Sequence, residues 1–304
     1  MKLHTRIVGA AALGPYVAGL RRLEADISYP IEDGRRRFSI DHGPDYHPFF
    51  SEMGEASFLV ATSADGAVAG CLACVAKAAR VGARALATAY LADLKIDPAL
   101  RGRGVGRSLL TRALGHAFAA PRLLDWDLAY GVAMRGERGD VMRAVGGRSP
   151  AAAARVLARQ HVYCAPPALL AGLDTRAAPA PPSGEVVLDL SARPRELFES
   201  TAGKKDLRVV GGGDLPLVHF GRGPGGWGGP HAAYLAAAAR ALGPRAEGAL
   251  ACFALDVRLA REVAFLGRAG VHPAAAATVW GLFRPLRLAR RPRFEYVHVA
   301  TSEI

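Results

Sequence analysis

With 304 residues, 51% of them hydrophobic, and no apolar run long enough to span a bilayer, the chain has material for a large core and reads as a soluble protein of two domains. Lys and Arg number 39 against 27 Asp and Glu, a formal net charge of +12 that favours anionic partners. The basic residues are scattered, and no aromatic-rich basic strand of the RNA-binding kind occurs, so nucleic acid is not the expected partner and neither is a membrane.

At the N-terminus Lys2 and Arg6 precede an apolar patch, "VGAAALGPYVAGL", but Gly14 and Pro15 interrupt it and no cleavage site follows, so no export signal is expected. "HTRIVGA" is strand-like, and "YVAGLRRLEADI" carries apolar residues at helical spacing. In "DHGPDYHPFF", Gly43 and Pro44 separate His42 from His47, so neither helical nor strand spacing aims both rings at one metal, and no metal is expected. "SFLVATSADGAVAGCLACVAKAARV" reads as a hairpin turning at Asp65-Gly66. Within it Cys71 and Cys74 make a CxxC with no second pair and no nearby histidine, which reads as strand core. The chain holds four cysteines in all, which excludes a secreted disulfide framework and points to a reducing, cytoplasmic setting.

"ALATAYLADLKI" is a further strand, ended by Pro98. "RSLLTRALGHAFAA" then puts Leu109, Leu110, Ala113, Leu114, Ala117 and Phe118 on one helical face. "LLDWDLAYGVA" and "RQHVYCA" read as strands. The order of elements is that of an α/β domain with a meander ahead of a strand, loop and helix crossover. "DTRAAPAPPSGE" has no apolar period and reads as a linker over residues 173–184, dividing a domain of residues 1–172 from one of residues 185–304. The second domain repeats strand, glycine-rich loop, helix, strand, helix, strand, from "LPLVHFG" through "RGPGGWGGP" and "HAAYLAAAARAL" to "ATVWGLF".

The stretch "DLKIDPALRGRGVGRSLL" carries the chemistry. A glycine-rich turn at a helix N-terminus exposes N–H groups that lack intrahelical partners beside the positive end of the helix dipole, which makes an anion site. Gly102, Gly104 and Gly106 let the backbone approach an oxyanion, and Arg101, Arg103 and Arg107 add attraction. A Walker loop is excluded, because Gly106-Arg107-Ser108 lacks the lysine and Arg101 stands where the first glycine belongs. The dinucleotide fingerprint is missing its third glycine, since that place holds Arg107 or Leu109.

What fits is Arg-x-x-Gly-x-Gly after an apolar-x-Pro step, here Ile96-Asp97-Pro98 followed by Arg101, Gly104 and Gly106. In this pattern residues 1–172 resemble the GNAT superfamily of acetyl-coenzyme A dependent N-acetyltransferases. The resemblance implies a mixed-sheet acyl-CoA N-acyltransferase fold and acetyl-CoA as cosubstrate. It further implies that the backbone from Arg101 through Gly102, Arg103, Gly104, Val105 and Gly106 to Arg107 holds the pyrophosphate, and that the strand at Leu94, Lys95 and Ile96 pairs with the pantetheine arm. The acceptor it implies is a primary amine on a small molecule or a peptide. The C-terminal half reads either as a degenerate copy of this fold, with Trp227 filling the phosphate space, or as an unrelated α/β accessory domain.

Direct transfer to an amine needs a proton acceptor and, for the leaving thiolate, a donor. Asp93, inside the apolar "AYLADLKI", is the candidate base; its alternative role is an ion pair with Lys95. The glutamate that many superfamily members carry slightly earlier on this strand is replaced by Tyr90 or Leu91. The helix that the resemblance implies after the next strand would be "RGERGDVMRAV", which lacks the family's tyrosine acid and leaves Tyr130, with Tyr163 a strand further on, as the nearest phenol. Asp125 and Asp127 flank Trp126 and either line the amine site or form a solvated strand edge. Tyr46, Phe49 and Phe50 are candidates for the acceptor pocket. A non-catalytic acyl-CoA or anion-binding regulatory module is the alternative function.

Overall fold

A computed structural model describes residues 3–31, 35–119, 126–134, 153–180, 186–191, 198–220, 232–243, 248–284 and 292–304. Strand β1 (His4–Gly9) leads into helix α1 (Gly14–Ala25), whose Pro15 sits in the first turn, where a missing N–H costs nothing. Two short strands, β2 (Tyr29–Ile31) and β3 (Arg36–Asp41), precede helix α2 (Pro48–Met53), which buries Phe49, Phe50 and Met53. The hairpin at Asp65-Gly66 joins β4 (Glu55–Thr62) to β5 (Val68–Val81), and β6 (Arg84–Ile96) completes an antiparallel meander.

Both faces of β5 are covered, which explains its continuous apolar sequence. Alternation at period two sends Cys71, Ala73 and Val75 into the cluster under α1 and α2. It sends Leu72 and Cys74 into a second cluster under helix α3 (Val105–Ala119), where Leu109, Leu110, Ala113 and Leu114 are buried. The side chains of Ala117 and Phe118 lie outside the described residues, as does the stretch "RGERGDVMRAV". Strand β7 (Leu128–Met134) returns parallel to β6.

The rest of the chain extends the same sheet. After β8 (Arg155–Ala165) and the short helix α4 (Pro167–Ala171) come β9 (Val187–Asp189), β10 (Phe198–Ser200), β11 (Asp206–Val209) and β12 (Leu217–Phe220). Helix α5 (Ala232–Leu242), β13 (Leu250–Asp256), helix α6 (Ala260–Arg268), β14 (Pro273–Phe283) and β15 (Tyr296–His298) follow. Here β12, α5 and β13 form a parallel crossover like that of β6, α3 and β7, while the glycine-rich stretch with Trp227 lies outside the described residues.

Among the described residues one sheet of twelve strands runs β1-β4-β5-β6-β7-β14-β8-β13-β12-β10, with β9 bridging β5 and β15. A smaller sheet of order β11-β3-β2 lies beside it. Strand β8 precedes the proline-rich stretch, yet β14 and β13, which follow that stretch, bond its two edges. Likewise β11 pairs with β3 and β9 with β5, so the two parts of the chain interlock. No helix among the described residues is long and apolar enough to cross a membrane.

Leu109 is fully buried where α3 meets β4, β5 and β6, so Leu109→Ala is expected to cost about 2–5 kcal/mol in unfolding free energy by urea titration. A loss under about 0.5 kcal/mol, the range of surface substitutions, would contradict this packing of α3.

Candidate active site

The site starts from one extra residue. Cys71 opposes Lys95 and Ala73 opposes Ala92, so Asp93 and Leu94 together face the single residue Leu72 across the β5–β6 ladder. Asp93 takes the strain with φ 56, a left-handed conformation that aspartate tolerates better than most residues. The bulge resets the alternation: Leu91, Leu94 and Ile96 pack toward α3, whereas Asp93 and Lys95 turn to the α1 face. It also bends β6 away from β7. The two strands pair only from Thr88 opposite Leu128 to Tyr90 opposite Tyr130 and then diverge, leaving the β6 edge beyond Tyr90 without a partner in β7. At the crotch of this fork a Cβ on Gly131 would lie 3.0 Å from the Leu91 carbonyl oxygen, so only glycine fits without displacement.

Beyond the fork, Asp97 accepts a hydrogen bond from the Ala99 N–H at 2.8 Å and starts a short turn at Pro98. Gly102 and Gly104 have φ 78 and 81, and the Gly104 carbonyl accepts the first helical bond of α3 from Ser108. The N–H groups of Val105, Gly106 and Arg107 therefore point outward with no carbonyl one turn back. Val105 itself is buried under the helix, and Arg101, Arg103 and Arg107 are exposed around the turn. Free N–H donors at a dipole's positive end, ringed by guanidiniums, fit a pyrophosphate.

Fork and turn open on one cavity of about 1740 Å³, bordered by Leu94, Ile96, the whole run from Arg101 to Arg107, Asp93 and Tyr130. Lys95 is absent from its wall. Instead its ammonium is buried against Asp93 Oδ1 at 2.5 Å and Glu24 Oε1 at 2.6 Å. His42 Nδ1 lies 2.5 Å from the same Glu24 oxygen, and the Tyr46 hydroxyl donates to Asp93. Glu24, His42 and Asp93 offer ligand atoms within 4.8 Å of one another, a set that a metal could use. Lys95 already supplies positive charge there. Burial works to raise the Asp93 carboxyl, but Lys95 and His42, with the Lys95 and Tyr46 hydrogen bonds, hold it below the usual carboxylate range. The residue expected as a base is thus a weakly basic partner in an ion pair.

Tyr130 stacks on Tyr90 at 4.8 Å between ring centroids, and its hydroxyl donates to the Leu190 carbonyl at 3.3 Å. Burial, with the nearby Glu303 charge, pushes the Tyr130 phenol well above its ordinary value. Tyr163 is fully buried against Phe253, and Asp127 accepts from the Ala87 N–H at the strand edge; Asp125 lies outside the described residues. Of the aromatic residues expected near the acceptor, Phe49 and Phe50 border the cavity, and Tyr46 sits behind them on Asp93.

Lys205, in the charged stretch "GKKDL", carries no signal of a site in its sequence context. It lies in a turn whose Thr201 carbonyl accepts the Lys205 N–H at 2.9 Å and whose Thr201 hydroxyl donates to the Lys205 carbonyl at 2.9 Å. The side chain is buried and borders the cavity, with Nζ 4.8 Å above the Phe49 ring. Among the described residues no carboxylate pairs with it. Burial pushes its amine down from 10.5 to about 8, although Asp93, Cys252 and Glu303 pull the other way.

Residues 23–129, from the end of α1 through the bulge, the turn and α3 into β7, match the Acetyltransferase (GNAT) family. The match covers about a third of the chain, and the described residues as a whole have a mixed α/β sheet architecture. In fold the chain is similar to Saccharomyces cerevisiae N-myristoyltransferase, with 8% identity, a TM-score of 0.51, and coverage of 96% of this chain and 80% of that one. A tandem GNAT protein from the clavulanic acid biosynthesis pathway aligns over 92% of this chain and 98% of its own at 15% identity, with a TM-score of 0.49. A GCN5-related N-acetyltransferase from Anabaena variabilis aligns over 92% and 73% at 12% identity, with a TM-score of 0.47. No curated protein matches the chain significantly.

The low basicity of Lys205 has a thermodynamic sign. Below pH 8 both folded and unfolded chains hold its proton, and burial of the charge opposes folding by roughly 3 kcal/mol, the equivalent of the drop from 10.5 to about 8. Between pH 8 and 10.5 the unfolded chain binds more protons, so this opposition fades as pH rises. Lys205→Met is expected to stabilise the fold at pH 7 by up to roughly 3 kcal/mol, with the gain shrinking toward pH 10, read by thermal unfolding at both values. A variant less stable than the parent at pH 7 would refute the unpaired state of this amine.

Proposed function

We propose that the chain is an acetyl-coenzyme A dependent N-acetyltransferase that acts on a primary amine, of a small molecule or a peptide, by direct attack on the thioester in a ternary complex. The observation that carries this reading is convergence. An anion cradle at α3, an unpartnered β6 edge and a group of buried titratable side chains all meet one cavity. The yeast N-myristoyltransferase of similar fold was solved with bound myristoyl-CoA, which agrees with an acyl-CoA in such a site. The N–H groups from Gly102 to Arg107 would hold the pyrophosphate, and Arg101, Arg103 and Arg107 would neutralise it. The edge at Leu94, Lys95 and Ile96 would take the pantetheine arm as an added strand. Residues 1–172 supply the cradle and the strand edge for the coenzyme, and residues 185–304 supply Lys205 and further wall of the same cavity.

The attacking amine must lose a proton. Asp93 is held too acidic to take it well, so its role here is positioning: it keeps Lys95 and the bulge in place, and with them the fork. Lys205 releases its own proton at about 8, close to the pH of the reaction, and it borders the same cavity. It accepts the amine proton and returns it to the departing thiolate. Tyr130, whose hydroxyl is spent on Leu190, shapes the wall beside Tyr90.

In Gly104→Val a β-branched side chain would be forced into positive φ at the cradle, and calorimetric affinity for coenzyme A is expected to fall at least about tenfold. Unchanged affinity would remove the cradle from the site. With an amine substrate, kcat/KM is expected to rise with pH through about 8. Lys205→Arg is expected to lose about a hundredfold and the inflection while keeping coenzyme A affinity. Full turnover in that variant would return the base role to Asp93, which Asp93→Asn then tests. Acetyl-CoA binding without thiol release stimulated by any amine of a broad library would identify a regulatory acyl-CoA-binding module instead.

A further inference from the structure

The CxxC of β5 is the thiol pair that the sequence advertises, yet strand alternation sends Cys71 and Cys74 to opposite faces of the sheet. The thiols that meet are Cys164 of β8 and Cys252 of β13, 88 residues apart in the chain. They oppose each other directly in the antiparallel register, and Cys164 Sγ donates to Cys252 Sγ at 3.6 Å. Directly opposed residues of an antiparallel pair have Cα atoms about 4.5–5.5 Å apart, within the 4.4–6.8 Å span that disulfides usually bridge. Rotation of the two side chains therefore suffices to join them.

Access and reactivity agree with this geometry. Both cysteines border the large cavity, and Cys164 is partly exposed there. Around Cys252, His219 Nδ1 lies 3.0 Å from the Thr301 hydroxyl, which donates to the Cys252 carbonyl at 3.1 Å. The hydrogen bond between the two sulfurs lets one stabilise the charge left when the other loses its proton. Cys164, the partly exposed thiol, is the one a soluble disulfide reaches, and Cys252, buried beside it, is the resolving thiol.

We propose that Cys164 and Cys252 are a reversible dithiol–disulfide pair in the cavity wall, oxidised by a low-molecular-weight disulfide such as oxidised glutathione. Cys164 loses its proton and attacks one glutathione sulfur; the glutathione disulfide bond breaks and one glutathione thiolate leaves and is protonated. Cys252 then loses its proton and attacks Cys164 Sγ, forming the protein disulfide and releasing the second glutathione. Two protein thiols are oxidised and one disulfide is reduced. The wall exchanges two separate thiols for one bridge that ties β8 to β13, so what the cavity accepts comes to depend on redox state. This chemistry does not require the chain to be an acetyltransferase.

The test equilibrates the folded, full-length chain with graded mixtures of reduced and oxidised glutathione, quenches with acid, alkylates, and maps the peptides by mass spectrometry. Expected is loss of two alkylatable thiols, a peptide linking Cys164 to Cys252 that is two hydrogens lighter than its parts, and full reversal by dithiothreitol. Cys252→Ser is expected to retain one glutathione on Cys164, whereas Cys164→Ser takes up none at the buried Cys252. The double variant Cys71→Ser, Cys74→Ser should leave the linked peptide unchanged. A link formed only after unfolding in urea, a link involving Cys71 or Cys74, or equal modification of both single variants would overturn the proposal.

Discussion

One extra residue in β6 governs the geometry of the site. Without it, Leu91, Asp93 and Lys95 would share a face of the sheet; with it, the two charged residues turn together toward Glu24 while the leucines stay under α3. A non-glycine residue in the left-handed region costs roughly 1–2 kcal/mol. Removing one partner from a buried ion pair costs roughly 3–5 kcal/mol, because the remaining charge has no water to fall back on. The second figure outweighs the first, so the Lys95 contact can hold the bulge in place. The bulge in turn opens the fork, and the fork exposes the strand edge next to the α3 turn.

Two buried lysines near this fork show which effect wins where. Burial disfavours the charge on both. At Lys95, carboxylate oxygens at 2.5 and 2.6 Å outweigh it, and the amine stays protonated far above its ordinary range. At Lys205 no such oxygen is paired among the described residues, and the balance falls to about 8. Lys95 is therefore a structural cation, while Lys205 borders the cavity with its proton more loosely held. A lysine kept buried without an acid burdens the fold, which is easier to understand at a functional site than elsewhere.

Much of the fold was legible because its signals are local. The Asp65-Gly66 turn, the apolar stripe of α3 and the spacing from Pro98 to Gly106 each depend on a few neighbouring residues, and each lies where the pattern put it. The pairing of β14 between β7 and β8, of β11 with β3 and of β9 with β5 had no such signal, since nothing in one strand names its distant partner. Glu24 sits in "RRLEADI" and Lys205 in "GKKDL", where a charge among charges reads as solvated. Their burial follows from long-range packing: α1 lies on β3 and β5, and the Thr201 turn is drawn over α2. The same reason hid Cys164 and Cys252 while a sequence-adjacent CxxC stood out.

The interlocking of the two parts also explains why the cavity is large. In the first part, β7 pairs with β6 for only three residues before it diverges, so its far edge needs another strand to satisfy its backbone. That strand is β14, which pairs with β7 from Ala277 opposite Met134 to Phe283 opposite Leu128 and takes β8 on its other edge. The sheet therefore continues past the fork instead of ending there. The strands beyond it carry Cys164, Cys252 and His219 to the same cavity that α3 borders. With β14 removed, β7 would regain an open edge and the cavity would lose its far wall, so the second part of the chain is a structural component of the site that the first part opens.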